Sequence, residues 1–275
     1  MPAMITAYLL TSAKLLYELP SSGRLVQSLL FRSLSAESRD LSRELHELSS
    51  SLGLGAPYSV TRLTTAKEFV RGRYASVPKG GEVRATFKLL RDEFIDPLVE
   101  GILKADLEVN GVPLEVAEVK IGRKSYEDLL LRSPVARGVT FKLITNTILD
   151  DEFPPPLPHV LERPFEAWNS NAPEDLRLPD TLMRHLYLAE PLDPTWLREA
   201  VVELWFGDER VVREGWLGNL SYSMRGLDAY VGRMAAALMR FAEFSGLGRR
   251  TTMGFGVVAV RFHSRRGRRS KRGSS

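Results

Sequence analysis

The sequence predicts an α+β protein built from two tandem ferredoxin-like domains, each with the element order βαββαβ. Apolar patterns along residues 1–130 run strand, helix, strands, helix, strand, and residues 139–262 begin a similar cycle. The first domain is expected to span residues 1–132 and the second residues 133–262, because Pro134 and Gly138 interrupt the patterns. Residues 263–275 form a basic tail that is predicted to be disordered.

The first cycle opens with residues 4–11 (MITAYLLT), whose β-branched and aromatic residues predict a buried strand. A helix follows with Ser21 or Ser22 as its expected N-cap, and a second helix carries leucines at a spacing of three and four. The remaining elements are strands at residues 58–63, 69–74 and 83–90, a helix at 92–105 and a hairpin over 107–121. The hairpin is expected to turn at Asn110-Gly111, a dipeptide typical of two-residue turns.

The second cycle has a longer list of expected elements. They are a strand at residues 139–149, a helix at 159–169, strands at 186–192, 201–206 and 211–222, a helix at 227–244 and a strand at 255–262. The helix at 227–244 has the clearest pattern, since Leu227, Met234 and Leu238 share one face at helical spacing.

Composition and charge exclude several classes of site. The chain has no cysteine, which rules out a disulfide scaffold, a thiolate zinc site and a cysteine nucleophile. Its four histidines are too scattered in sequence to suggest a metal cluster, and no cofactor is expected. The net charge is +4, but residues 264–275 hold six basic side chains and no acid, and without them the charge is −2. A polyanion site in the body must therefore be a local basic patch.

Targeting signals are not evident in the sequence. Residues 3–10 are apolar but too short and too polar in their flanks for a secretory leader. No window approaches the roughly 20 apolar residues that cross a bilayer. A cytoplasmic protein without a membrane partner is expected.

The motif with most information is GLGRRTTMGFG at residues 246–256, between the clear helix and the final strand. Two glycine–apolar–glycine triplets flank five residues, and the glycines are Gly246, Gly248, Gly254 and Gly256. Glycine allows a backbone to approach a phosphate and to present its amides in a concave nest. Arg249 and Arg250 add guanidinium groups that match phosphate oxygens. An ordinary glycine-rich connector with solvated charges remains the alternative.

Two nucleotide-binding motifs are excluded for this loop. The Walker pattern ends in Gly-Lys followed by serine or threonine, which is absent here. The dinucleotide fingerprint needs a third glycine where this sequence has Thr251, and it lies between a strand and a helix, the reverse of the order here.

The loop resembles the C-terminal glycine-rich signature of the CRISPR repeat-cleaving endoribonucleases, members of the RAMP superfamily. Three further segments are similar to that family: Gly215-Trp216-Leu217-Gly218 with Ser221-Tyr222, Phe165-Glu166-Ala167-Trp168-Asn169, and Phe241-Ala242-Glu243-Phe244-Ser245. The likeness is specific over residues 139–262 and general over residues 1–130. It implies two ferredoxin-like domains, a CRISPR repeat in precursor CRISPR RNA as substrate, and metal-independent cleavage that leaves a 2′,3′-cyclic phosphate and a 5′-hydroxyl.

The resemblance also implies a catalytic histidine on the helical segment after the first strand, and His46 occupies that region. Histidine suits proton transfer because its unperturbed pKa is about 6.5. Two departures from the family stand out. Phe31 stands on the helix from which several relatives supply a tyrosine. The lysine that they have just after the histidine is also missing, because no lysine occurs between Lys14 and Lys67. Tyr58 and Arg62, or Arg32 beside Phe31, are the open alternatives for the missing group. Without the resemblance, His46 would be taken as a solvated helix residue.

For RNA binding, the best candidates are Arg249 and Arg250 with Thr251 and Thr252. Arg84 and Lys88 alternate on one strand face and are expected to guide the RNA backbone. Arg32 is a further candidate for RNA binding. The departures leave a second function open, a non-catalytic repeat-RNA-binding subunit of a CRISPR effector complex. Effector subunits are therefore candidate partners, and the chain is expected to be a monomer or a homodimer.

Overall fold

The computed structural model describes residues 1–19, 22–65, 69–71, 73–149, 154–192, 196–206 and 209–263. Ser21 and residues 264–275 of the basic tail lie outside the described residues. Two antiparallel sheets, each with helices on one face, organise the chain. The α+β class and the tandem ferredoxin-like plan are confirmed.

The described residues of the first half form eight strands and three long helices. They are β1 (Ala3–Thr11), β2 (Leu15–Glu18), α1 (Ser22–Glu37), α2 (Arg39–Leu52), β3 (Tyr58–Val60), β4 (Phe69–Arg71), β5 (Tyr74–Val77), β6 (Glu82–Leu89), α3 (Ile95–Lys104), β7 (Glu108–Val109) and β8 (Val112–Arg123). The sheet order is β3-β6-β1-β8-β7, and its first four strands have the ferredoxin-like order.

Strand β1 shows why the first sheet forms as it does. Ala3, Ile5, Ala7 and Leu9 alternate with half-buried residues and lie in the core with α1 and α3. This alternation buries one sheet face against helices and leaves the other for polar and aromatic side chains. At the predicted hairpin, Asn110 and Gly111 have φ values of 50° and 75°, which confirms the turn between β7 and β8.

A small third sheet, with strand order β2-β5-β4, was not foreseen. The single strand expected at residues 69–74 is instead two short antiparallel strands, β4 and β5, which pair Arg71 with Tyr74. Strand β2 pairs with β5 beside the first domain and places Leu15 and Tyr17 in the core. A four-residue strand is too short to give a readable sequence pattern.

The second half repeats the plan with one elaboration. Its elements are α4 (Tyr126–Leu131), β9 (Gly138–Thr147), α5 (Leu157–Asn171), α6 (Thr181–His185), β10 (Glu190–Pro191), β11 (Leu197–Phe206), β12 (Glu209–Ser223), α7 (Ala229–Ser245) and β13 (Val258–His263). The sheet order is β10-β12-β9-β13, with β11 also paired to β12. Strands β11 and β12 continue beyond β9 as a long hairpin.

The strand expected at residues 186–192 is largely wrong. Residues 181–188 form α6 and a following 3-10 turn, and only Glu190–Pro191 is extended. Leu182 and Leu186 are both buried, and their spacing of four residues is the helical one.

The two halves are packed against each other by side chains as well as by the glycine-rich loop. The hydroxyl of Tyr126 donates to the Leu90 carbonyl at 3.1 Å, and that of Ser59 donates to the Phe244 carbonyl at 2.7 Å. Tyr126 on α4 and Leu90 after β6 both belong to the core of the second half. The division at residue 132 stays a prediction, since this core extends into the chain before it.

Lys88 on β6 is buried beside α7, and its burial lowers its pKa from 10.5 to about 8 despite the charge of Glu243. We expect Lys88→Met to raise the free energy of unfolding at pH 7 by about 1–3 kcal/mol, because the buried charge is removed. Glu243 keeps Arg240 and the Val260 amide as partners in the variant.

The pH dependence gives this prediction a signature. Between pH 8 and 10.5 the unfolded chain retains a lysine proton that the folded chain loses, so the Lys88 contribution favours folding more as pH rises. The variant lacks this contribution, so its advantage should shrink between urea titrations at pH 7 and pH 9.5. A variant that is less stable than wild type at pH 7 would show that the interaction with Glu243 outweighs the burial cost.

Candidate nucleic-acid interface

The glycine-rich loop, residues 246–256, is wedged between the two halves of the molecule. All four of its glycines have positive φ, from 64° to 86°. A Cβ on Gly248 would lie 2.1 Å from the Ile148 carbonyl oxygen, and Gly254 lies against Gly23 at the start of α1. The glycines are therefore required by close backbone packing.

Because of this packing, three of the four glycine amides cannot form the predicted phosphate nest. The amides of Gly246, Gly254 and Gly256 donate to the carbonyls of Ala242, Thr251 and Asn146. Because these three amides are committed to protein acceptors, they are not available to bind an anion. Gly248 is half-buried, unlike the other three loop glycines, and it lines a cavity with Arg249.

The crest of the loop is cationic, as the sequence predicts. Arg249 is exposed, and Arg250 is half-buried with a left-handed backbone, φ 58°. Partial burial lowers the pKa of Arg250, and the positive charge of Arg213 on the β11–β12 hairpin lowers it further. Like charges held close together attract a polyanion, since its binding relieves their repulsion.

His46 lies on the exposed face of α2, next to buried Leu45. The helix begins after Ser38, whose hydroxyl accepts from the Leu41 amide at 3.3 Å. The His46 ring packs edge-on against Phe31 of α1 with centroids 5.7 Å apart. One side of the imidazole is thus held by a rigid neighbour, while solvent reaches the residue.

Tyr58 connects this histidine to the loop. Its ring is 5.7 Å from Phe31, and the amide of Gln27 donates to its hydroxyl at 2.8 Å. Burial raises the pKa of the Tyr58 hydroxyl, against the opposing effect of hydrogen bonds with Gln27, Ser49 and Thr252. Tyr58 is 1% exposed, so its position favours joining α1, α2 and the loop over exchanging a proton with a substrate.

Arg62, the other alternative for the missing catalytic group, faces a different part of the surface. It is half-buried and lines a cavity of about 490 Å³ together with Lys142 and Arg198. Gly254 and Phe255 of the loop line the same cavity. Arg62 thus belongs to a basic cleft between the two sheets, where it contributes positive charge.

The remaining predicted binding residues lie apart from the loop. Arg32 donates to Glu108 at 2.9 Å, and Arg84 donates to Glu82 at 2.8 Å. Lys88 is wrong as an RNA contact, because it is 2% exposed and covered by the second half of the chain. Alternation on a strand face indicated a shared side of the sheet, but it could not show what covers that side.

Sequence reasoning missed Arg163 on α5, which is 2% exposed. Its Nε donates to the Thr251 hydroxyl at 3.1 Å, and its Nη2 donates to the Ala56 carbonyl at 3.0 Å and to the Tyr58 carbonyl at 3.4 Å. Burial lowers its pKa to about 10. The sequence does contain a signal for it, because Arg163 follows Val160 at helical spacing and so lies on the buried face of α5.

The structure also bears on metal binding and on membrane insertion. Among the residues that the structure places, no three or more histidine, cysteine, aspartate or glutamate side chains gather as metal ligands would. Within the same residues, no helix is both long and apolar enough to cross a membrane.

Comparison with known proteins agrees with the resemblance found in the sequence. The family model described as CRISPR-associated endoribonuclease Cas6 matches residues 139–258, the region where the sequence resemblance is specific. No curated protein sequence matches the chain. The resemblance to this RAMP family is confirmed over that region.

Solved structures extend the likeness to the whole chain. A product complex of Cas6 from Thermus thermophilus has a TM-score of 0.72 at 19% identity, covering 94% of this chain and 99% of that one. A RAMP protein that binds different RNA substrates has a TM-score of 0.58 at 14% identity, with coverages of 94% and 99%. The product of a Cas6-related gene from Pyrococcus furiosus gives 0.58 at 14%, with coverages of 94% and 98%. At these identities the likeness establishes the fold, which is that of the Cas6 proteins.

Proposed function

We propose that the protein is a cytoplasmic endoribonuclease that binds CRISPR repeat RNA and cleaves precursor CRISPR RNA within its repeats. The observation that carries the proposal is the connection of His46, through Phe31 and Tyr58, to Thr252 on a loop with a cationic crest. A histidine that could transfer a proton is thus linked through packed side chains to the loop that carries Arg249 and Arg250. The similar fold of a RAMP protein that binds different RNA substrates supports an RNA ligand, and similar folds were also solved as a product complex and as a substrate-mimic complex.

The proposed reaction uses the RNA itself as the nucleophile. A ribose 2′-oxygen attacks the adjacent phosphorus, so that the O2′–P bond forms as the P–O5′ bond breaks. A base accepts the 2′-hydroxyl proton, and an acid donates a proton to the leaving 5′-oxygen. The products are a 2′,3′-cyclic phosphate and a 5′-hydroxyl, and no metal ion takes part in the bond changes.

We assign one of the two proton transfers to His46, because it is exposed and its ring is oriented by Phe31. Arg249 and Arg250 would stabilise negative charge on the phosphate oxygens, which is the larger contribution in many phosphoryl reactions. The second catalytic group stays open among Tyr58, Arg62 and Arg32, of which Tyr58 is buried, Arg62 is half-buried and Arg32 is exposed.

The mechanism is tested with a transcript of the CRISPR repeat from the source genome. We expect cleavage to persist in excess EDTA and to stop when the nucleotide on the 5′ side of the cut lacks its 2′-hydroxyl. End-group analysis should find the cyclic phosphate on the upstream fragment. Cleavage of the deoxy substrate, or complete loss of cleavage in EDTA with restoration by magnesium, would exclude this mechanism.

The alternative function is repeat binding without cleavage, as a subunit of a CRISPR effector complex. Phe31 favours it, because an unreactive ring occupies the position between His46 and Tyr58. Tight binding of the repeat with no product in a long single-turnover incubation would support this alternative. The state of the protein in solution, monomer or homodimer, is measured in the same samples by light scattering.

A further inference from the structure

A second cavity opens on the other side of the glycine-rich loop, at the N-terminal end of α5. Its volume is about 380 Å³, within the roughly 300–1,000 Å³ range of small-ligand sites. Its polar and aromatic lining comes from the loop, from α5 and from the turns after it: Gly248, Arg249, His159, Arg163, Arg184 and Tyr187. None of these residues is needed for the proton transfers proposed above.

The electrostatics of this cavity favour an anion. Arg163 is 2% exposed, and its Nη1 has no hydrogen-bond partner among the described residues, while its other nitrogens bind neutral oxygens. Arg184 and Arg249 add exposed guanidiniums, against one carboxylate, that of Glu162. The first turn of α5 contributes the positive end of a fifteen-residue helix.

The cavity also has an aromatic wall. The imidazole Nε2 of His159 and the hydroxyl of Tyr187 are 2.8 Å apart, and their rings meet edge to face with centroids 5.8 Å apart. Tyr187 is 58% exposed although its hydroxyl has a side-chain partner. Fixed, exposed aromatic rings beside cations are the arrangement on which single-stranded nucleic acids stack their bases.

From these features we infer that the cavity takes one nucleotide of the bound RNA, with its phosphate toward Arg184 and Arg249 and its base against Tyr187. This inference rests on the proposed function, because it assigns a second contact to the same strand. Arg249 is adjacent in sequence to Arg250, which lies beside Arg213 on the hairpin. Because Arg249 also lines the cavity, a strand bound at the crest of the loop lies next to the cavity.

The test is a pair of matched double variants, Arg184→Ala/Tyr187→Ala in the cavity and Tyr230→Ala/Arg233→Ala on the exposed face of α7. All four side chains are exposed, so both variants should fold, which thermal melting checks. We expect the cavity variant to bind the repeat RNA about 10- to 100-fold more weakly and with a shallower salt dependence. The α7 variant should bind as wild type does.

The outcomes separate the two proposals. If wild type fails to bind the repeat RNA at all, the proposed function fails. If all three proteins bind it equally, the proposed function stands and the nucleotide site is overturned. The last measurement uses adenosine monophosphate as the probe. If it binds to wild type and not to the cavity variant, while both proteins bind the RNA equally, the cavity is a site for a free nucleotide. That result would also overturn the inference.

Discussion

Replacing His46 with alanine should lower the single-turnover rate of repeat cleavage by about 10²–10⁴-fold, the range found for loss of a general acid or base. RNA affinity should change little, because the binding residues lie on the loop and not on α2. The imidazole is exposed and packs only one edge on Phe31, so its removal leaves the core intact. Cleavage is measured with enzyme in excess, which separates chemistry from product release.

Glu47→Ala is the control for this variant, since Glu47 is the next residue on α2 and is also exposed. It should cleave at the wild-type rate, and both variants should unfold at the wild-type temperature. If His46→Ala cleaves normally while wild type requires the 2′-hydroxyl, the mechanism survives and the residue assignment is wrong. If neither variant nor wild type gives product, the non-catalytic alternative is favoured.

Much of the fold could be predicted because its elements depend on local patterns. The alternation in β1 and the Asn110-Gly111 turn are short-range signals, and the structure confirms both. The helix α5 was placed within two residues at each end. Prediction failed where elements are only a few residues long: β2 was not foreseen, and residues 186–188 form a 3-10 turn where a strand was expected.

The site was harder to predict because its residues depend on how the two halves pack. The charge of Arg249 and Arg250 and the exposure of His46 follow from the chain itself. The burial of Lys88 and Tyr58 depends on α7 and on the loop, which come more than 100 residues later in the sequence. Patterns within one element could not show that these side chains would be covered.

The second large effect is expected when a glycine of the loop is replaced. Gly256 has φ 64°, and a Cβ there would lie 1.8 Å from the Leu247 carbonyl oxygen. Its own carbonyl accepts from the Leu247 amide at 2.9 Å, so the two triplets are held together at this point. Gly256→Ala must adopt an unfavourable backbone and break this contact, and we expect the free energy of unfolding to fall by about 4 kcal/mol or more. RNA binding should be lost with it, because Arg249 and Arg250 lose their support.

Gly232→Ala makes the same chemical change at a site without these constraints. Gly232 lies within α7, its amide donates to the Asp228 carbonyl as a helical residue does, and an added Cβ meets nothing within 4 Å. Alanine there should stabilise the protein by about 0.5–1 kcal/mol, since glycine is a poor helix former. Urea unfolding and RNA titration of both variants check the contrast. Wild-type stability and wild-type RNA affinity in Gly256→Ala would show that the loop tolerates a side chain, and the close packing described for it would then be wrong.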